Sequence, residues 1–261
     1  MVPTRHPYGE HASQYAELWV PDHRVHPLIA IIIHGGFWRQ AYGAELGRPL
    51  AADLAERGIT SWNLEYRRTA GGDGGQPETF LDVAAGIDAL DVALATAGLP
   101  DGPRIALGHS AGGHLALWAA GRSMLPEGAP GSQARGSRGL DGVVSQAGVL
   151  DLHLAHTMGL SNDAAGELMG STPESDPAAW QLADPAAGEP ATVPMVMLHG
   201  RQDVNVPVSM ARSFARRARE AGAPVSYREF DGDHYGVITP GDPAWEASVE
   251  ALLELGGAVA G

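Results

Sequence analysis

Six short apolar runs are separated by longer, helix-like segments, and this alternation is what most restricts how the chain can fold. The runs are LIAIIIH (28–34), ITSWNL (59–64), RIALG (104–108), GVVSQAG (142–148), VPMVMLHG (193–200) and VSYREF (225–230). Most are β-rich and apolar without alternation, the pattern of strands covered on both faces. The segments between them (43–57, 79–96, 111–121, 208–222 and 244–255) carry helical spacing, and several end near glycine. Strand and helix in turn predict an α/β fold with a mostly parallel central sheet and helices on both faces. The stretch 152–192 has no strong strand, and we expect it to be a small cap of short helices within one domain spanning 1–261. The Gly/Pro/Ser-rich stretches 70–78 and 126–139 are expected to be surface loops.

One stretch carries chemistry. RIALGHSAGGHLALWAA places Ser110 inside Gly108-His109-Ser110-Ala111-Gly112, between an apolar strand and a helix. With 35 glycines in 261 residues, a Gly-x-Ser-x-Gly pattern arises by chance roughly 0.2–0.3 times in such a chain. Its neighbours therefore decide. A nucleophilic serine needs a base to take its proton and a carboxylate to orient that base. Asp203 follows the strand VPMVMLHG and His234 follows VSYREF, so both fall on loops at strand ends. The order Ser110, Asp203, His234 differs from the other common serine-protease orders. Upstream, IIIHGGFW closes a strand with His34-Gly35-Gly36, where the backbone amides of Gly35 and Gly36 can join that of Ala111 in holding an oxyanion.

On these residues the chain resembles the α/β-hydrolase superfamily over nearly its full length. His34-Gly35-Gly36-Phe37-Trp38 with Gly108-His109-Ser110-Ala111-Gly112-Gly113-His114 is similar to the esterase and kynurenine formamidase (arylformamidase) group. Phe37 stands where lipase-like esterases carry a third glycine. The resemblance implies a catalytic triad of Ser110, Asp203 and His234, an oxyanion hole at Gly35, Gly36 and Ala111, and no cofactor. It further implies hydrolysis of a small ester or amide, with an N-formyl arylamine as the leading substrate. A short-chain carboxylesterase and a non-catalytic hydrolase-fold binding protein are the alternatives. Phe37, Trp38, Tyr66, Trp180 and Tyr235 lie on or near loops expected to surround the substrate, where aromatic side chains can stack on it.

Other features read as structural. Asp231 and Asp233 are close to His234 in sequence, but the acid after the preceding strand is the usual partner in this order. His34 is expected to order its loop, His109 and His114 to be structural, and Arg67-Arg68 to pair with carboxylates. No metal-ligand spacing appears, since His109 and His114 are five apart and no His-Glu-x-x-His is present. The formal charge of −14, from 31 acidic and 17 basic residues, opposes binding to nucleic acid and anionic membranes. The partner expected is a small-molecule substrate, with homo-oligomers left open. The absence of cysteine excludes disulfides and a thiol nucleophile. The N-terminal twenty residues lack an apolar leader pattern, so a cytoplasmic location is expected.

Overall fold

A computed structural model describes residues 2–260, so residues 1 and 261 of the expected domain lie outside the described part. The chain opens with strands β1 (Thr4–Pro7), β2 (Tyr15–Trp19) and β3 (Ile29–Ile33), then α1 (Arg48–Glu56), β4 (Thr60–Leu64), α2 (Glu78–Asp88) and α3 (Leu90–Ala97). It continues through β5 (Arg104–His109), α4 (Ala111–Ala120) and β6 (Gly142–Gln146) into three helices, α5 (Leu152–Thr157), α6 (Leu160–Met169) and α7 (Pro177–Ala183). It closes with β7 (Met195–Gly200), α8 (Val208–Glu220), β8 (Val225–Phe230) and α9 (Pro243–Ala260).

The strands form one eight-stranded sheet in the order β1-β2-β4-β3-β5-β6-β7-β8. From β3 to β8 the pairings are parallel, whereas β1 and β2 pair antiparallel at one edge. This is the α/β-hydrolase fold, with the mostly parallel sheet that the alternation predicts. The two antiparallel strands add to that expectation. β1 is largely exposed, so neither a buried run nor an alternation marked it in the sequence.

The sheet separates two hydrophobic layers with period-two precision. In β3, Ile29, Ile31 and Ile33 face the layer of α2, α4, α8 and the 152–192 segment. Ala30 and Ile32 face α1 and α9. The run expected as one helix over 79–96 divides at Ala89. The last helix runs past the expected end at 255, and its Gly256 lies against Leu28, where a side chain would collide. The three helices between β6 and β7 bury Leu152, Leu168 and Trp180 on the same core as α4.

β3 is flanked by β4 on one side and β5 on the other. The connections leaving the C-terminal ends of β3 and β5 therefore diverge, which opens a crevice at the topological switch point. His34-Gly35-Gly36 and Ser110 both leave from that edge. No helix among the described residues is long and apolar enough to cross a membrane.

Two of the five buried histidines are pushed toward the neutral form. His114 is fully buried with Nε2 2.9 Å from Ala183 O, and burial pushes its pKa down to about 4. Burial beside His234 pushes His109 down to about 3. Because an unfolded chain protonates free histidine near pH ~6.5, their stabilising contribution is complete above that pH and is lost as pH falls toward 4. The melting temperature should fall as pH drops from 7 to 4, and less steeply in His114→Gln, as calorimetry across that range will show. An identical slope would contradict the assignment.

Candidate active site

Ser110 sits between β5 and α4 with φ 54° and ψ −118°, a region sparsely populated by residues with a side chain and costing on the order of 1–3 kcal/mol. Four backbone hydrogen bonds hold it there. Its N–H donates to Gln146 O at 2.8 Å, and its carbonyl accepts from Gly113, His114 and Val149 at 2.9, 3.2 and 3.1 Å. The turn is tight because α4 presses on the end of β3: a Cβ on Gly112 would collide with Ile33 O and His34 O. Ser110 is 2% exposed.

The loop after β3 lies against this turn. A Cβ on Gly35 would stand 2.8 Å from His109 O and 3.0 Å from Ser110 Cβ. The amides of Gly35, Gly36 and Ala111 make no hydrogen bond within the described residues, and that of Ala111 opens the N-terminus of α4, where negative charge is favoured. These are the three positions read from the sequence as oxyanion donors. The loop is built from below by residues whose part the sequence did not reveal. His34 Nδ1 donates to Gly35 O at 2.8 Å, and Tyr66 donates its hydroxyl proton to His34 O at 2.8 Å while stacking on the His34 ring at 4.4 Å. Glu65, 4% exposed, gathers His34 Nε2, the Arg68 guanidinium and the amides of Ala44 and Tyr66. Burial would raise its pKa, but His34, Arg68 and the Ala44 amide outweigh that and lower it. Arg39, one residue beyond Trp38, ties the loop to α6 through Ser161 Oγ and O at 2.9 and 2.6 Å and Glu167 Oε2 at 2.8 Å.

His234 and Asp203 meet as the strand order requires. His234 Nδ1 donates to Asp203 Oδ2 at 2.6 Å, and both side chains are buried. Burial alone would raise the Asp203 pKa; hydrogen bonds from His199, His234 and the Val206 amide hold it well below the usual carboxylate range. The neighbouring acids are engaged elsewhere, Asp231 with Arg201 and Asp233 with the amides of Tyr235 and Gly236. Among the described residues no hydrogen bond joins Ser110 Oγ to His234. The two are gathered through His109, whose Nε2 donates to His234 O at 2.9 Å with ring centres 4.6 Å apart. Such a contact often tightens only with substrate bound.

The five aromatic residues expected around the substrate divide. Tyr235 is 53% exposed beside His234, and Phe37 is half-buried in the Gly35 loop. Trp38, Tyr66 and Trp180 correct the expectation, because all three are packed inside. Trp38 lies against His114, Tyr66 supports His34, and Trp180 lies between His153 and His156. They sit in loop-bordering sequence, yet each buries more apolar area by turning inward. Arg67 and Arg68 pair with Asp82 and Glu65. No group of three or more metal-ligating side chains is assembled among the described residues.

A strained serine at a strand–helix turn, a buried His-Asp pair on the next strand ends and free amides opposite define an α/β-hydrolase of the serine type. The BD-FAE family model matches residues 17–217, and the chain belongs to that family of esterase-type hydrolases. It is 28% identical to a probable isoprenylcysteine alpha-carbonyl methylesterase from Oryza sativa subsp. japonica, over 90% of this chain and 58% of the relative. The chain thus spans little more than half the length of that relative. Solved structures repeat the fold. A truncated carbohydrate esterase from gut microbiota superposes with TM-score 0.77 at 20% identity, over 97% of this chain and 95% of its own. Esterase B from Lactobacillus rhamnosis, solved with a tributyrin phosphonate, superposes with TM-score 0.81 at 19% identity, over 98% and 86%.

Two substitutions test the geometry. Gly112→Ala should push α4 off β3 and lower both melting temperature and activity, measured by calorimetry and ester turnover. Asp203→Asn should leave the fold intact while lowering kcat by about 10⁴-fold, because the amide favours the wrong imidazole tautomer.

Proposed function

We propose that the protein hydrolyses esters of small acyl groups through an acyl-enzyme on Ser110. The observation that carries this is the 2.6 Å His234–Asp203 hydrogen bond standing next to a serine held in strained backbone. His234 takes the Ser110 proton as Oγ attacks the acyl carbonyl, and the negative oxygen is met by the amides of Ala111, Gly36 and Gly35. The tetrahedral intermediate expels the alcohol, which receives the proton from His234. Water, deprotonated by the same imidazole, then attacks the acyl-serine; collapse releases the acid and returns the proton to Ser110.

Family membership and the esterase names of its relatives support an ester over an amide. A second reading, hydrolysis of an N-formyl arylamine to formate and amine, is supported by His34-Gly35-Gly36-Phe37-Trp38. It loses the aromatic wall that Trp38, Tyr66 and Trp180 were expected to give an aryl leaving group, and keeps Phe37 and Tyr235.

Steady-state hydrolysis of p-nitrophenyl acetate, butyrate and octanoate beside N-formylkynurenine separates the two. We expect kcat/KM to be highest for acetate, to fall with chain length and to exceed that for the formamide, with Ser110→Ala lowering kcat by about 10⁴-fold or more. Faster turnover of the formamide would establish the second reading. Activity that survives in Ser110→Ala would contradict both.

A further inference from the structure

Asp203 does not serve His234 alone. His199, near the end of β7, is fully buried and places Nε2 3.1 Å from the same Oδ2 that His234 contacts, and 2.9 Å from Val206 O. A carbonyl can only accept, so His199 Nε2 carries a proton; it donates to Val206 O and faces Asp203 Oδ2 with the same N–H. The other ring nitrogen, Nδ1, is buried with no hydrogen-bond partner. A buried polar atom without a partner destabilises the fold, so a histidine at this position is explained by what its Nε2–H does. Asp203 Oδ1 is meanwhile taken by the amides of Asn205 and Val206, both at 2.8 Å. The two backbone donors fix one oxygen, and two imidazoles share the other.

We propose that His199 is a positioning residue of the active site, whose Nε2–H locks the Asp203 carboxylate in line with His234 and withdraws part of its charge. The inference rests on reading Ser110, His234 and Asp203 as the catalytic machinery. Two consequences follow from the shared oxygen. The carboxylate cannot rotate away from His234 without also leaving the His199 N–H that faces it. The charge that stabilises the His234 imidazolium is also smaller than an unshared carboxylate would supply.

The surroundings leave this effect distinguishable. His234 is faced by Asp203 from the β7–α8 loop, by His109 from β5 and by Tyr235 and Asp233 from its own loop. His109 donates to the His234 carbonyl, Asp233 is occupied by the amides of Tyr235 and Gly236, and Tyr235 is met by Asn205 at 3.4 Å. Arg201 on the acid loop pairs with Glu229 and Asp231. None of these groups takes the place of His199 on Asp203.

The test compares wild type, His199→Phe, His199→Met and His199→Gln. The readouts are the pH profile of kcat/KM on p-nitrophenyl acetate, kcat and KM separately, and the titration of the His234 ring by NMR. Loss of one charge-assisted hydrogen bond predicts that the Phe variant loses about tenfold in kcat while KM changes by less than about twofold. The acid limb and the His234 titration should both move to higher pH, and the Gln variant, which restores an N–H, should recover most of the loss. The Met variant carries the same expectation should the Phe ring fail to fit. A loss of activity with the acid limb and the titration unmoved or moved down would reduce His199 to a packing role and overturn the proposal, as would full activity in both apolar variants. Ser110→Ala run in parallel tests the catalytic reading itself. The NMR titration needs no turnover, so it decides the role of His199 even if that reading falls.

Discussion

The turn at Ser110 is the constraint on which the rest of the site depends. A side-chain-bearing residue at φ 54° and ψ −118° persists only where its surroundings over-determine it. Here β6 accepts its amide proton, α4 and Val149 donate to its carbonyl, and β3 meets the glycine two residues on. His109, the residue before it, holds the loop of His234. Three segments distant in sequence, at the ends of β3 and β6 and around His234, are thus registered against one strained residue, and the oxyanion loop and the base are both positioned by that registration.

The electrostatics follow from burial. Asp203 is ionised inside the protein because four donors surround it. His109 and His114 are held neutral because their desolvation outweighs the opposing pull of Asp203 and Asp184. The site therefore places the buried negative charge of Asp203 behind the base, where it can stabilise the imidazolium that forms during reaction. Glu65 has the corresponding place beneath the oxyanion loop, paired with Arg68 and His34.

Much of this was legible in the chain. Most of the parallel strands were marked by short β-rich, mainly apolar runs, and Ser110, Asp203 and His234 by their places after three of those runs, since strand-end loops are where such a sheet presents its chemistry. What was not legible depended on contacts between distant segments. β1 was silent because an exposed edge strand carries no apolar pattern. Trp38, Tyr66 and Trp180 were misplaced because sequence tells that a loop is near a site and not which way its side chain turns. His199 lies four residues before Asp203 in the sequence, yet only folding brings its ring against the Asp203 oxygen, and Glu65 gave no local signal at all.

The central claim is that Ser110 is the activated nucleophile, and covalent labelling tests it most directly. The folded protein is treated with an aryl fluorophosphonate, and the modified residue is located by peptide mass spectrometry, with His234→Ala as the comparison. One phosphonyl group on Ser110, formed rapidly in wild type and at a greatly reduced rate in His234→Ala, is the predicted result. Labelling at another residue, or equal labelling in both proteins, would contradict the account.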